Sequence, residues 1–593
     1  MKRSVKTALI AVGGAAVLCA AAVGIMCGVY YSAAPGEFSA VSDGTVIYAG
    51  EEPLYSIGRL RTGSGFSDEA LELICGGRLR MDPVSAVLGQ RSVSERTVLA
   101  VFPDIPLMEL IARTKALEDG RTDRELMELY CSTAYFGNGI YGAEDAAAYY
   151  FGKKPGSLDK YEAETLADIC SNEKYQRMTK AELAREFSGV EFAPQEVLSS
   201  SSSAAQVLEE LRGILTGLGC SDEEQSGLIY GGGLRVYTTL DSAVQSAVDR
   251  VITEQPAMEH FQIAMQVSDY SGGVLASTGG ADNGGCADRC VIPRSPGSAI
   301  KPLSVYSPAI EQGLITWASF LPDRPDAENW PQNYNGVFEQ EVMTAYALRQ
   351  SKNTCAVYLE KLLGGDVCYE AVKRLGFASV TPEDKVPIGM GMGYLVNGVT
   401  PGEMAAAYQI FGNGGSYTAP HFIDRITSAD GTELYQYSAE AEQVISPETA
   451  WIMNRMMKSN IEMEDGLGGK AKLDGIEVFG KTGTRDNVYE VVTDNWFVGG
   501  TPDMCAAVWT GSDDTELMIS GGTFPSAAGI WSMVMSEIPP QERSFTNASE
   551  AVSAEICRVT GGVAGEMCPE TEIGWFAPGT LPEKCSQHKY EVP

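Results

Sequence analysis

Three short motifs constrain this chain more than any other feature, because each is inert unless the fold carries it to the other two. They are Ser298-Ala-Ile-Lys301, Ser351-Lys-Asn353 and Lys481-Thr-Gly-Thr484. Ser298 follows a Pro-Gly that can start a helix, and three-residue spacing sets Ser298 and Lys301 on one helical face. A hydroxyl beside a lysine amine is a nucleophile with its base, provided the amine can be neutral. Alone the pattern is weak, since it recurs at Ser157/Lys160, Ser171/Lys174 and Ser586/Lys589. Ser351 and Asn353 alone are ordinary turn formers, and Lys-Thr-Gly alone can end a strand. What selects Ser298 is that Ser-x-Asn and Lys-Thr-Gly each occur once, and in this order.

A chain of 593 residues predicts several domains. Its formal charge of −34 excludes a nucleic-acid binder, which needs a basic face, and reads as a solvated acidic surface. With only His260, His421 and His588, a Ser-His-Asp mechanism has few candidates, and none sits in a recognisable catalytic motif. The N-terminus runs without charge from Thr7 to Ala34, behind Lys2, Arg3 and Lys6 and ahead of Glu37 and Asp43. That length crosses a bilayer as a helix, and the flanking charges keep the first residues in the cytoplasm. The expectation is a signal anchor over residues 7–31 with everything after it outside the cytoplasmic membrane. The run is long for the apolar core of a cleaved signal peptide, and neither Cys19 nor Cys27 follows the small residue of a lipoprotein site.

Further on, helical periodicity is clearest in Glu109–Glu118 and Arg124–Tyr130, and the serine run Ser199–Ser203 reads as a linker or loop before an amphipathic helix, Ala204–Leu218. Glycines at 231–233 open into an alternating strand, Ile263–Val267 and Val274–Ala276 read as a hairpin, and Val478–Gly480 and Ala506–Trp509 as strands. Helices are expected around Ser298, over Thr344–Leu363 and over Ala405–Phe411. Mixed helices and strands without a βαβ repeat predict an α+β class. The tail carries Cys557, Cys568, Cys585 and His588, whose spacing fits no standard zinc finger. Cys585-x-x-His588 with two upstream cysteines is a donor set that zinc accepts, which stands as the alternative; a disulfide or free thiols are the expectation there and at Cys286/Cys290, with no metal and no cofactor.

Together the motifs resemble the penicillin-binding protein and serine β-lactamase superfamily, whose signature is Ser-x-x-Lys, Ser-x-Asn and Lys-Thr-Gly. The flanking segments are similar to class A penicillin-binding proteins: Gly233-Leu-Arg-Val-Tyr-Thr-Thr-Leu-Asp241, Pro331-Gln-Asn-Tyr-Asn-Gly336, Asn397-Gly-Val-Thr-Pro401 and Asp494-Asn-Trp-Phe-Val-Gly499. The resemblance implies a transpeptidase domain with a central antiparallel sheet flanked by helices. It also implies that Ser298 attacks a D-Ala-D-Ala stem peptide, that Lys301 is the base, and that Ser351 relays a proton between the leaving amine and the lysines, Lys481 among them. Asn353, Thr482, Gly483 and Thr484 would bind substrate. The implied partners are a stem-peptide donor, an acceptor strand bearing an amine, β-lactams as inhibitors and the bilayer. A β-lactamase and a non-catalytic β-lactam sensor or scaffold are the alternatives. The former lacks a clear deacylating acid here, and the latter usually adds membrane spans and a cytoplasmic effector.

Class A proteins carry a lysozyme-like glycosyltransferase domain first, and Glu125-Leu-Met-Glu-Leu-Tyr130, Tyr135-Phe-Gly-Asn-Gly-Ile-Tyr-Gly142 and Ala146-Ala-Ala-Tyr-Tyr-Phe-Gly-Lys153 are similar to it. Upstream the likeness fails. The family's Glu-Asp-x-x-Phe-x-x-His-x-Gly segment needs a histidine, and none occurs before His260; Glu109 is offset by one from the Arg-Lys-x-x-Glu position. The expectation is a scaffold that has lost glycan polymerisation, which leaves room for a separate polymerase as partner; a bifunctional synthase with a divergent active transferase is the alternative. The expected divisions are 1–6 cytoplasmic, 7–31 anchor, 32–195 degenerate glycosyltransferase-like domain, 196–232 linker, 233–540 transpeptidase domain and 541–593 tail.

Overall fold

The computed structural model describes residues 45–588 except 58–64, 82–90, 102–106, 138–141, 152, 179, 191, 193–200, 222–223, 226–227, 230–232, 256–260, 281–287, 327–328, 386–388, 487–491 and 513–525. The expected membrane span at 7–31 therefore lies outside the described residues, among which no helix is long and apolar enough to cross a membrane. The chain forms two compact units, one of residues 1–238, 283–286 and 423–437, the other of 239–282, 287–422 and 438–593.

The first unit is helical around a small sheet. Helices Asp68–Cys75, Asp123–Thr133, Ala143–Phe151 and Lys160–Ser171 bury one stripe each, meeting at Leu71, Ile74, Tyr130, Phe136, Tyr150, Leu166 and Ile169. Capping boxes start two of them: Thr122 with Glu125, and Asp159 with Glu162, each satisfying backbone N–H groups that have no intrahelical partner. The serine run does not form a loop throughout, because Ser201–Ser203 are the first turn of helix Ser201–Gly217. The alternating stretch after Gly233 pairs in parallel with Thr45–Ala49, giving the strand order 433–436, 423–427, 235–238, 45–49, 52–57. Tyr48 stacks on Tyr237, whose ring also carries the Arg425 guanidinium 3.9 Å away.

In the second unit five antiparallel strands form the central sheet, in the order Phe479–Asp486, Val492–Gly500, Cys505–Gly511, Gln262–Ser268, Val274–Thr278. Period-two alternation divides their side chains between two cores. Phe497, Val508, Met265 and Val267 pack with Val248, Ile252 and Trp531 of helices Ser242–Thr253 and Ala527–Glu537 on one side. Trp496, Val498, Trp509 and Ala264 face a larger core with Leu303, Tyr408 and Met456 on the other. The expected hairpin and strands are thus present, each somewhat longer than its sequence pattern suggests.

Two expected helices differ. Thr344–Leu363 is broken into Thr344–Arg349 and Asn353–Leu363, because Ser351 takes φ 56°, a left-handed conformation that ends one helix and redirects the chain into the next. Ser298 lies on a single 3₁₀ turn, Gly297–Ile300, which continues as a π turn over Pro302–Tyr306 and an α-helix over Ser307–Glu311. Cys290 is a buried free thiol, and Cys286 lies outside the described residues.

Candidate active site

The three motifs meet on the larger core's side of the second unit. Strand Phe479–Asp486, at the edge of the central sheet, runs directly against the Ser298 turn, and glycines make that approach possible. Gly297 has φ 51°, and a Cβ on it would collide with the Thr484 carbonyl; one on Gly483 would collide with Pro296 O and crowd Ala299. The third residue of Lys-Thr-Gly is therefore glycine because a side chain there would push the strand off the nucleophile.

The turn itself is anchored from several directions. Arg294 exchanges two backbone hydrogen bonds of 2.7 Å with Val399, and its guanidinium lies over the Trp509 ring. Trp496 Nε1 donates to Ser295 O at 2.8 Å, Ser295 Oγ to Gly393 O at 3.0 Å, and the Tyr408 hydroxyl to Ala299 O. Trp496 belongs to Asp494–Gly499 and Tyr408 to the helix after Asn397–Pro401, so both stretches contribute directly to holding the turn.

Lys301 is fully buried and Ser298 half-exposed. Lys301 Nζ donates to Ser351 O at 2.9 Å and to Asn353 Oδ1 at 2.6 Å. Burial, reinforced by the charge of Lys481, pushes the Lys301 amine well below the usual lysine range. A neutral amine has two N–H donors and one lone pair; with both donors engaged, the lone pair is what remains for a proton from Ser298. Lys481 is also fully buried, and burial lowers it to about 7. Its Nζ donates to Ser351 Oγ at 2.9 Å and to Thr482 O at 3.0 Å. Ser351 thus joins the two lysines, its carbonyl bonded to one and its hydroxyl to the other.

The left-handed Ser351 is held by a buried polar network that the motif pattern does not reveal. Lys352 pairs with Asp323 at 2.9 Å and with Glu339 at 2.8 Å. Asp323 also accepts from Thr354 Oγ1 and from Asn333 Nδ2, both at 2.6 Å. Asn333 Oδ1 in turn accepts from the Asn353 backbone N–H at 2.9 Å, while Asn353 Nδ2 donates to Gln332 O at 2.8 Å. The segment Pro331–Gly336 carried a signal for this, through its likeness to a family loop; Asp323 carried none. Of the expected substrate-binding residues, Asn353, Thr482 and Thr484 are partly accessible and Gly483 is buried against the turn.

In the tail, Cys557, Cys568, Cys585 and His588 come together with their ligand atoms all within 4.8 Å, an assembly the sequence spacing did not predict.

Residues 263–513 match the family described as penicillin binding protein transpeptidase domain, and residues 108–191 match the transglycosylase family. The chain is 28% identical over 456 residues to penicillin-binding protein 4 of Bacillus subtilis, covering 68% of this chain and 71% of that one. It is 29% identical over 518 residues to penicillin-binding protein 2D of the same organism, covering 79% and 72%. The crystal structure of penicillin-binding protein 1A from Haemophilus influenzae superposes with a TM-score of 0.55 at 17% identity over 92% of this chain and 99% of that one, which speaks to the fold. A transglycosylase match followed by a penicillin-binding transpeptidase match on one polypeptide gives this chain the domain pair of the class A penicillin-binding proteins, and the two Bacillus subtilis relatives are similar to it over most of its length.

Proposed function

We propose that this protein is a membrane-anchored serine D,D-transpeptidase that cross-links stem peptides through an acyl-enzyme on Ser298 and is inactivated by β-lactams. The observation that carries this reading is the placement of Lys301, buried one turn after Ser298 with its Nζ donating to Ser351 O and Asn353 Oδ1. Ser298 Oγ attacks the carbonyl of the penultimate D-alanine as Lys301 takes its proton. Ser351, bonded to Lys481, passes a proton to the departing D-alanine amine. The amine of an acceptor strand then displaces Ser298, restoring the hydroxyl. Lys481, with the hydroxyls of Thr482 and Thr484, binds the terminal carboxylate, and the backbone N–H groups of Ser298 and Thr484 receive the developing oxyanion. A fluorescent penicillin tests the reading: a stable adduct supports it, rapid turnover identifies a β-lactamase, and no adduct points to a scaffold.

The lysines also set a pH profile. Lys301 acts only when neutral, so kcat/KM rises as pH passes through its depressed pKa. Lys481 attracts the carboxylate only when charged, and it loses that charge above about 7. A bell follows, with its alkaline limb near neutrality. Lys481→Arg, charged at every accessible pH, moves that limb upward; stopped-flow acylation from pH 5 to 10 measures it, and a wild-type rate independent of pH around 7 contradicts the assignment.

From the uncharged run Thr7–Ala34 behind Lys2, Arg3 and Lys6 we also infer that residues 7–31 anchor the chain in the cytoplasmic membrane, with the residues after them outside the cytoplasm. For residues 32–195 we further propose a scaffold that no longer polymerises glycan. The missing histidine and the offset of Glu109 support this. So does the engagement of the described buried acids: Glu95 with Ser92 and Arg91, Glu128 with Arg124, and Glu162 with Lys153. The transglycosylase match at 108–191 favours the second reading, a bifunctional synthase. Purified protein incubated with lipid-linked disaccharide-pentapeptide is expected to make no glycan chains, whereas chains made by this protein alone establish the bifunctional reading.

A further inference from the structure

The C-terminal tail forms a compact, cysteine-bearing ribbon that the transpeptidase chemistry does not use. Strands Val552–Cys557 and Thr571–Phe576 pair antiparallel, and Val563 bridges both Ile556 and Lys584, so three separate stretches lie side by side. Tight turns bring the sulfurs in. Gly561 N–H donates to Cys557 O at 2.8 Å and Cys557 N–H to Gly562 O at 2.9 Å, closing a loop immediately after the first cysteine. Cys568 N–H donates to Gly565 O at 3.0 Å, while Gly565 N–H points back at Cys568 Sγ at 3.3 Å, which fixes the direction of that sulfur. Cys585 N–H donates to Val563 O at 2.8 Å, an approach possible because Gly562 has no Cβ to meet Cys585 N and Glu583 O. Cys585-x-x-His588 then places two ligands at one corner.

The result is three sulfurs and one imidazole nitrogen within 4.8 Å of one another, with His588 Nδ1 3.3 Å from Cys585 Sγ and 3.5 Å from Cys557 Sγ. A tetrahedral ion with metal–sulfur bonds of about 2.3 Å and a metal–nitrogen bond of about 2.0–2.1 Å has ligand–ligand edges of roughly 3.5–3.8 Å. The two sulfur–nitrogen distances are close to that edge, and the remaining ligand atoms lie within 4.8 Å, near enough for an ion to draw them in. It does not resemble a disulfide, whose sulfurs sit about 2.05 Å apart, and pairing two of three cysteines would strand the third beside the histidine.

We propose that Cys557, Cys568, Cys585 and His588 form a structural zinc site. Three soft thiolates and an imidazole in a closed tetrahedron select zinc over magnesium or calcium, and four protein ligands leave no open position for catalysis. Binding exchanges the three thiol protons for the metal, releases them to solvent and involves no oxidation. The ion fastens the tail to the body of the second unit. Arg558, next to Cys557, pairs with Asp465 at 3.1 Å and lies 3.5 Å from Glu572. Glu572 accepts from Trp317 Nε1 at 2.8 Å and pairs at 3.1 Å with the fully buried Arg349, two residues before Ser351. The zinc ribbon thereby braces the helix that ends at the second motif.

The test is the metal content of the full-length protein purified under reducing conditions, dialysed, and measured by elemental mass spectrometry. One zinc per chain is expected, falling to near zero in Cys568→Ser and in Cys585→Ser. Cobalt exchanged into the wild type is expected to give the intense tetrahedral absorption and thiolate-to-cobalt charge-transfer band of a thiolate-rich site, a readout that does not depend on the variants folding. Absence of zinc and of the cobalt spectrum after reconstitution of reduced protein overturns the proposal. So does zinc retained by both variants, or a disulfide between any two of the three cysteines in protein isolated without reductant.

Discussion

Replacing Ser298 with alanine is expected to abolish stable labelling by a fluorescent penicillin and to lower acyl transfer by at least about 10⁴-fold, the scale on which acyl-transfer enzymes lose rate when the nucleophile is removed. The folded state should be indifferent to the change. Ser298 is half-exposed, and the turn that carries it is held by Arg294, Ser295 and Ala299 through contacts with Val399, Trp496 and Tyr408, not by the serine hydroxyl. A melting temperature within a degree or so of wild type is therefore expected. Persistent labelling of Ser298→Ala at a wild-type rate would show that another residue, with Ser351 the hydroxyl bonded to Lys481, is acylated.

Lys301→Met separates the base from the scaffold. Methionine keeps most of the unbranched stem and its packing but has no amine, so acylation should fall by about 10²–10⁴-fold, the range for a positioned general base. Stability should change much less than activity, because the variant no longer buries an amine that the site desolvates completely. Asn353 Oδ1 loses a donor, which sets an opposing cost of about 1–3 kcal/mol. The diagnostic is the pH dependence: raising the pH should not rescue the variant, since no titrating amine remains at that position. Acylation at the wild-type rate with an unchanged acid limb would transfer the role of base to Lys481, acting through Ser351.

The chemistry of the second unit was readable from sequence because its motifs are local: Ser298 and Lys301 share one turn, Ser351 and Asn353 another, and Lys481 to Thr484 one strand. Their support was not readable, because it is long-range. Asp323 lies outside any motif, yet it organises Lys352, Asn333 and Thr354 beneath the Ser351 turn. The same distinction explains the helix over Thr344–Leu363. Six polar residues, Arg349–Thr354, interrupt its apolar periodicity, but nothing in them marks Ser351 as left-handed; the ion pairs of the next residue, the buried Lys352, hold that conformation. In the tail, ligand spacing was a poor guide for a related reason. Finger-like spacings describe sites built from adjacent turns, whereas here bridges from Val563 to Ile556 and Lys584 bring Cys557 and Cys585 together, and Cys568 joins them on a separate turn with Gly565. The serine run at 199–203 shows that composition is a weak indicator, since three of its residues begin a helix.

Transfer of an acyl group from Ser298 to an amine is measured most directly by product analysis with preformed, uncross-linked glycan strands carrying pentapeptides. The purified protein should release D-alanine and, in matching amount, form peptide-linked dimers visible after glycan digestion, with both products lost in Ser298→Ala and on prior treatment with penicillin. Release of D-alanine without dimers would make the protein a carboxypeptidase, and formation of neither product would contradict the transpeptidase assignment.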